Sequence, residues 1–267
     1  MERQDLLKQY KKQEDKMVLA QILDKIEESN HKDRIAFSDF LDMYQISLIN
    51  TFLKKNRIDN YKLYGGYEEA ERKVLIAYSK KYDENIIQKS YNKILKVVRI
   101  TLPEEEKGKY SHRNYLGGIV KLGLKREKVG DILVSDGGAD IITDSNFSEI
   151  LKNELPKLKR FENSKIEIKD IEELKKIEVI MEEIKIIVPS LRLDNFVSDL
   201  ARTSRNKALE IIKQERVFIN GKNEIKPSKQ VKLGDIITIR GKGRFIVKSF
   251  EGTTRSGRTV VLIEKYK

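Results

Sequence analysis

The sequence predicts an α+β protein of three small domains: an N-terminal helical and hairpin unit at 1–83, a middle domain at 84–175 and a C-terminal domain at 184–267. Three observations predict this organisation. Helical and extended patterns are interleaved along the whole chain, the order of these patterns changes near residue 84, and the charge balance turns basic near residue 184.

The composition describes a globular protein with a strongly charged surface. The 267 residues are 39% hydrophobic and 36% charged, and no apolar run approaches the roughly 20 residues that a membrane-spanning helix needs. The first residues lack the apolar segment of a signal peptide. The absence of cysteine excludes disulfides, thiolate catalysis and zinc–cysteine sites. We therefore expect a cytoplasmic protein with no membrane partner, no metal and no cofactor.

Positive charge is concentrated towards the C-terminus. Residues 186–267 hold 18 Lys and Arg against 8 Asp and Glu, a net charge of +10, whereas the preceding 185 residues hold 36 against 34. A lysine-rich surface without a specific partner would spread its charge evenly. The asymmetry therefore predicts a polyanionic partner for the last third of the chain.

The N-terminal unit is predicted to contain two helices and a hairpin. Apolar residues recur at helical spacing through the first 30 or so residues, which predicts one amphipathic helix. A second helix is predicted in "FSDFLDMYQISLINTFLKKN", with Ser38 as its cap. The stretch "YKLYGGYEEAERKVLIAYS" predicts two strands around a turn at Gly65 and Gly66.

The middle domain has the pattern β-α-β-β-α-β. Strands are predicted in "KILKVVRITL", "GDILVS", "GADIIT" and "SKIEIKDI", and helices in "HRNYLGGIVKLGL", capped by Ser111, and "DSNFSEILKNELPKL". This order is that of a ferredoxin-like, RRM-like domain. The aromatic strand signature of a standard RNA-recognition module is missing, so we do not expect bases to stack on this sheet.

The basic C-terminal domain is predicted to open with two short helices and a hairpin. A core-facing stripe is predicted at Leu193, Phe196, Val197 and Leu200, with Asn195 and Asp199 on the outer face. Ser204 is placed to cap the second helix, and Asn220-Gly221 is a strong signal for a two-residue hairpin turn.

These elements are predicted to hold a rigid basic ledge. Arginine forks match phosphate oxygens, and the first amides of a helix favour an anion, so the pattern suits a structured RNA backbone. The alternative is that the charges are the solvated faces of two amphipathic helices. The predicted RNA-binding residues are Arg192, Arg202, Ser204, Arg205, Lys207, Lys213, Arg216, Asn220, Lys222, Arg240, Lys242 and Arg244. Replacing Arg192 and Arg205 by alanine is expected to release RNA and leave thermal stability nearly intact.

Four motifs of this domain resemble the S-four domain, the RNA-binding module of the fourth small-subunit ribosomal protein. They are "RLD" at 192–194, "SRNKA" at 204–208, "VFINGK" at 217–222 and "GD" at 234–235. Glu215 departs from the glycine that the family usually has at the helix end. This departure predicts either a weaker local RNA contact or a different helix stop.

The resemblance extends over essentially the whole chain. "HRNYLGGIVKLGLKREKVGDILVSDGGADII", "GGYEEAER", "RGKGRF" and "TTRSGR" resemble the bacterial YlmH family. That resemblance implies an RRM-like middle domain, a C-terminal S-four domain and no known catalysis. It also implies binding to ribosomal RNA of the large subunit, contact near peptidyl-tRNA, rescue of stalled large subunits in ribosome-associated quality control, and a link to division proteins.

Catalytic signatures are not found in the sequence. The glycine pairs in "YGGYEE" and "SDGGAD" suit turns and do not match a dinucleotide-binding loop. A pseudouridine synthase would carry a second "RLD" motif with a catalytic aspartate, whereas Asp194 is expected to orient Arg192 or to favour a helix start. We therefore expect no catalytic residue.

A second, sparser basic set lies around "KLGLKREKVG". Its cations are Arg113, Lys121, Lys125, Arg126 and Lys128. We interpret this set, above all His112, Arg113, Lys125 and Arg126, as a secondary ribosomal RNA or tRNA contact, with an ordinary polar helix end and loop as the equal alternative. The favoured hypothesis is a non-enzymatic RNA-binding factor on ribosomal particles. An RNA-modifying enzyme with an unrecognised catalytic middle domain and a cell-division scaffold are the competing hypotheses.

Overall fold

The computed structural model describes residues 3–175 and 181–266, with mixed helix and sheet throughout. The chain divides into two compact units, Met1–Ile177 and Glu178–Lys267. No helix in the described residues combines the length and the apolar character that a bilayer crossing requires. The predicted boundary between 83 and 84 lies inside the first unit, so the 1–83 and 84–175 division remains a prediction.

The N-terminal part of the first unit packs three helices against a small sheet. The helices are α1 (Arg3–Lys8), α2 (Gln13–Lys32) and α3 (Met43–Lys55), and the antiparallel strands β1 (Ala36–Phe37), β2 (Tyr61–Tyr64) and β3 (Val74–Ala77) lie in the order β1-β3-β2. The prediction of one initial helix was wrong. The chain breaks between α1 and α2, where Tyr10 packs edge-on against Phe52 with ring centroids 6.0 Å apart.

Asp42, and not Ser38, caps helix α3. The Asp42 carboxylate accepts from the Gln45 N–H at 2.9 Å, and the Gln45 side chain accepts from the Asp42 N–H at 2.9 Å. Ser38 lies in the core, where its hydroxyl oxygen accepts from the Leu75 N–H. The cap prediction was wrong because Ser38 lies before the bridge that pairs Leu41 with Lys73, and the helix starts only after that bridge.

The second part of this unit is a four-stranded antiparallel sheet with helices. Its helices are α4 (Glu84–Lys89), α5 (Tyr91–Ile94), α6 (His112–Lys121) and α7 (Ser145–Glu154), and its strands are β4 (Leu95–Thr101), β5 (Val129–Ser135), β6 (Gly138–Asp144) and β7 (Lys165–Asp170). The strand order is β5-β6-β4-β7. From β4 onwards, the strands, α6 and α7 follow the predicted β-α-β-β-α-β order.

Both faces of this sheet are covered by the chain itself. Val98, on one face, packs in the core formed with α6 and α7. Successive strand residues point to opposite faces, so Val97 points the other way, where it packs with Phe40 and Ile76 of the N-terminal part. The N-terminal part therefore covers the sheet face that the helices leave free.

Asp131 and Arg72 fasten these two parts together. Asp131 accepts from the Tyr67 hydroxyl at 2.9 Å and from the Glu71 N–H at 2.8 Å. The Arg72 guanidinium donates to the carbonyls of Val129 and Phe40, each at 3.0 Å. Burial raises the pKa of Asp131 and lowers the pKa of Arg72. This buried polar contact explains why the first unit is compact across the predicted boundary.

The second unit packs two helices on one face of a six-stranded antiparallel sheet. Its elements are β8 (Met181–Val188), α8 (Leu193–Leu200), α9 (Arg205–Lys213), β9 (Val217–Ile219), β10 (Lys222–Asn223), β11 (Ile236–Ile239), β12 (Gly243–Thr253) and β13 (Thr259–Tyr266), with sheet order β10-β9-β11-β12-β13-β8. The predicted stripe of α8 is buried as expected. Asn195 was wrongly placed outside, because its amide donates inwards to the Ser190 hydroxyl at 2.9 Å.

Candidate RNA-binding surface

The predicted basic residues of the second unit are carried by α8, α9 and the turns that follow them. Both helices end in the same way, with one residue in the left-handed conformation, Arg202 at φ 52° and Glu215 at φ 58°. The closing hydrogen bonds are Thr203 N–H to Ser198 O at 2.9 Å and Arg216 N–H to Ile211 O at 3.3 Å. These are Schellman turns, which usually place glycine at the left-handed position. The second helix therefore stops normally at Glu215, and a different helix stop is not required.

Asp194 holds the two arginines of the strongest motifs. It is 1% exposed, and it accepts from Arg192 through two hydrogen bonds of 3.1 Å and from Arg205 at 2.9 and 2.7 Å. Burial opposes the ionisation of Asp194, but the hydrogen bonds from the two arginines outweigh it and lower the pKa. The expected role of Asp194 in orienting Arg192 is observed, and it extends to Arg205. The trio carries a net charge of +1, so half of the positive charge of the two arginines is neutralised within the protein.

Arg216 and Arg240 hold each other at the base of the next hairpin. The Arg240 N–H donates to the Arg216 carbonyl at 2.9 Å, and the Arg216 guanidinium donates to the Arg240 carbonyl at 3.0 Å. The Arg240 guanidinium lies 4.9 Å from the centroid of the Phe218 ring, within the range of a cation–π interaction. Both guanidinium groups keep free edges towards solvent. Phe218 is a contact that the sequence did not indicate.

Two of the predicted polar residues have structural partners. The Ser204 hydroxyl accepts from the Lys207 N–H at 3.3 Å and caps α9 as expected. Asn220 donates to Asp235 at 2.9 Å and accepts from the Ile236 N–H at 2.9 Å. The side chain of Asn220 therefore stabilises its hairpin turn, and its interactions offer little to an external ligand.

Five of the predicted cations remain exposed and form no ion pair, side-chain hydrogen bond or ring contact within the described residues. They are Arg202, Lys207, Lys213, Lys222 and Lys242. Arg205 and Lys213 are eight residues apart and share one face of α9, whereas Lys207 lies about 160° around the helix from Arg205. Arg244 is half-buried and has a partner within the protein. The structure therefore leaves these five cations available to a ligand, and it places Lys207 on a different face of α9 from Arg205 and Lys213.

The predicted secondary set in the first unit is only partly available. The Arg126 guanidinium donates to the backbone carbonyls of Val129 and Gly130, and desolvation together with Arg72 lowers its pKa to about 10. Arg126 is half-buried, and these hydrogen bonds hold its guanidinium against the first residues of β5, so Arg126 offers less to an external ligand than an exposed arginine would.

The surroundings of His112 disfavour a positive charge on its ring. Desolvation, and after it the charge of Arg126, lowers the pKa of His112 below its ordinary value. Arg113 and Lys125 are exposed and form no ion pair in the described part of the chain. Within residues 3–175 and 181–266 no group of three or more acidic or histidine side chains could hold a metal ion.

Two family profiles match the chain. The profile of the RNA-binding domain in YlmH matches residues 88–175, and the profile of the S4 domain matches residues 191–237. These two segments of the chain therefore match an RNA-binding domain of the YlmH type and an S4 domain. The first profile covers the four-stranded sheet with α6 and α7. The second covers the Asp194 trio, α9 and the Asn220 turn, and ends before Arg240.

Three known proteins are similar to this chain. It is 29% identical over 234 residues to "Ribosome-associated protein quality control protein P2" of Bacillus subtilis, covering 88% of each chain. It is 39% identical over 70 residues to "Small ribosomal subunit protein uS4" of Citrifermentans bemidjiense, covering 25% of this chain and 34% of that one. The solved structure of "Cell division protein ylmH from Streptococcus pneumoniae" is similar with a TM-score of 0.47 at 17% identity, covering 61% of this chain and 96% of that one.

Proposed function

We propose that this protein is a non-enzymatic factor that binds ribosomal RNA on the large ribosomal subunit and acts in ribosome-associated quality control, in the rescue of stalled subunits. The observation that carries the proposal is the set of five unpaired cations around α8, α9 and the hairpin turns. Unpaired lysines and arginines on a rigid framework can bind the phosphate groups of a folded RNA, because the positions of both sets of charges are fixed. The printed name of the Bacillus subtilis relative supports the ribosomal setting.

The three predicted domains have different parts in this function. The S4 domain at 184–267 binds folded RNA. The middle domain at 84–175 adds a second contact, with RNA or with peptidyl-tRNA. The strand order β5-β6-β4-β7 supports an RRM-like fold for this middle domain. The N-terminal region at 1–83 covers the sheet of that middle domain. The protein acts in the cytoplasm. The printed name of the Streptococcus pneumoniae structure leaves a partner among division proteins as a second candidate role.

Binding to purified large ribosomal subunits over a range of salt concentrations tests the proposal. With about six phosphates neutralised, the log–log slope of affinity against salt is expected to be about −5. Affinity that does not change with salt would contradict RNA binding as the main contact. Mass spectrometry of ribosomal RNA from a deletion strain tests the enzymatic alternative, which predicts a missing modification that the gene restores.

A further inference from the structure

A cleft of about 460 Å³ opens beside the C-terminal end of α6 in the first unit. Its wall includes Lys121 from the last turn of α6, Tyr110 from the loop before α6, and Lys159, Arg160 and Ser164 from the segment between α7 and β7. Neither His112 nor Arg113 lines this cleft. Of its residues only Lys121 belongs to the secondary basic set that the sequence predicted, so the rest of this candidate ligand site was not predicted.

The cleft has an excess of positive charge. Lys121 and Lys159 are exposed and form no ion pair in the described residues, and Arg160 donates to the Asn114 carbonyl at 2.9 Å. Of the two acids in the wall, Glu106 is occupied by the Tyr110 hydroxyl at 2.7 Å and by the Lys109 ammonium at 3.1 Å. Only the exposed Glu162 is left against three cations, so the cleft favours an anion.

The other large groove of this unit does not share this property. That groove, of about 770 Å³, lies between α2 and the segment 34–41. Its Arg34 is paired with Glu28, and its Lys128 is paired with Asp39. The cations there are used within the protein, so size alone does not single out the smaller cleft.

The cleft also offers an aromatic ring, and one residue of its wall has a buried hydroxyl. Tyr110 is half-exposed, and its ring is fixed edge-on against Phe161 and Tyr115, with centroids 5.8 and 6.3 Å apart. The Ser164 Oγ is buried and has no hydrogen-bond partner among the described atoms. A fixed ring beside unpaired cations is the arrangement that binds single-stranded nucleic acid, since the ring contacts a base and the cations contact phosphates.

We propose that this cleft binds an unpaired nucleotide of RNA, with its base against Tyr110 and its phosphate between Lys121 and Lys159. The proposal rests on the proposed function for the class of its ligand. It places the contact on the helical side of the four-stranded sheet, because Phe40 and Ile76 cover the other face. A double-stranded segment would present no free base to the ring, so the occupant is single-stranded.

Two double variants of the full chain test the proposal with a short single-stranded oligouridylate. Lys121→Ala/Lys159→Ala removes the two free cations, and Lys152→Ala/Lys157→Ala removes two nearby cations that are paired with Glu149 and Glu154. Both variants change the net charge equally. The cleft variant is expected to bind about tenfold more weakly at low salt, with a log–log salt slope shallower by about 1.4, and the control is expected to match the parent. Equal effects of the two variants would overturn the proposal.

Crosslinking separates this proposal from the proposed function. With RNA that contains 4-thiouridine, crosslinks are expected on the peptide that holds Tyr110, and they should disappear in Lys121→Ala/Lys159→Ala and persist in the control. Crosslinks confined to peptides of the second unit would overturn the cleft and leave the proposed function standing. Loss of crosslinks from both units would overturn both. If the cleft variant weakens binding to ribosomal particles while oligouridylate binding and crosslinks stay unchanged, the cleft binds an acidic protein segment and the proposal is wrong.

Discussion

Arg205 donates two hydrogen bonds, at 2.9 and 2.7 Å, to a single carboxylate oxygen of Asp194. The Arg205 side chain is 58% exposed, whereas the Asp194 side chain is 1% exposed. Asp194 therefore lies in the core, whereas Arg205 lies at the surface. Because Arg192 binds the same carboxylate, the two arginines that begin the predicted RNA-binding ledge also stabilise the fold beneath it.

Replacing both Arg192 and Arg205 by alanine is expected to lower the free energy of unfolding of the second unit. The substitution leaves the buried Asp194 carboxylate without its charged donors. Urea unfolding followed by circular dichroism measures the change. The structure thus revises the expectation that stability would stay nearly intact. Adding Asp194→Asn to the double variant should recover part of the loss, and a fully stable double variant would show that the trio is unimportant for folding.

The pH dependence of stability should report on the same carboxylate. The folded-state pKa of Asp194 is lowered below the unfolded value of about 3.9, so its stabilising contribution is present above that value and is lost as the pH falls through the folded pKa. The stability difference between the parent and Asp194→Asn should therefore shrink as the pH falls below about 4. Acid unfolding curves measure it, and a difference independent of pH would contradict the assignment.

The unpaired cations should carry the salt dependence of RNA binding. Lys213→Ala/Lys222→Ala removes two of them, and the log–log slope for large ribosomal subunits is expected to become shallower by about 1.8. Lys185→Ala/Lys248→Ala is the matched control, since these lysines of the same unit are ion-paired with Glu251 and Glu264 at 2.8 Å. Filter-binding titrations compare the two. The same change in both would mean that net charge alone determines affinity.

Glu215→Gly is expected to raise the free energy of unfolding by about 1 kcal/mol. Glu215 is held at φ 58°, a conformation that glycine adopts without steric cost. Glu210→Gly, inside the preceding helix α9, should instead lower the free energy of unfolding by about 1 kcal/mol. Thermal unfolding distinguishes the two directions. Destabilisation by both would show that the Glu215 side chain makes a contact worth more than the backbone strain.

Gly130→Ala is expected to destabilise the first unit by about 2 kcal/mol. The new Cβ would lie 2.6 Å from the Phe40 ring, which is 2% exposed and cannot move away freely. Gly117→Ala, in helix α6 with open space around it, should be neutral or stabilising. Chemical unfolding measures both. A Gly130→Ala variant with unchanged stability would show that the Phe40 ring moves away from the new Cβ at little cost in free energy.

Local patterns predicted the elements of the fold well. The buried stripe of α8, the Ser204 cap and the Asn220-Gly221 turn depend on spacing and turn chemistry that neighbouring residues set. Ser38 shows the limit of this reasoning, because only the pairing of Leu41 with Lys73 places the helix start after that bridge, at Asp42.

The site was harder to predict than the fold, because local sequence patterns do not show which side chains form hydrogen bonds or ion pairs with residues far away in the sequence. The sequence identified Arg205 as a cation but could not show that Asp194, eleven positions earlier, neutralises part of its charge. It counted Arg126 as a surface charge, whereas the strand that follows takes up its hydrogen bonds. Tyr110 and Lys159 are 49 positions apart, so the cleft that they share becomes visible only in three dimensions.

The packing of Val97 and Ile142 on Phe40 and Ile76 has a practical consequence for work with fragments of this protein. A fragment of residues 84–175 would expose the hydrophobic face of the sheet that the N-terminal part covers in the whole unit. Such a fragment should aggregate and be recovered from inclusion bodies. The whole first unit, Met1–Ile177, is the fragment to express, because it keeps both sheet faces covered.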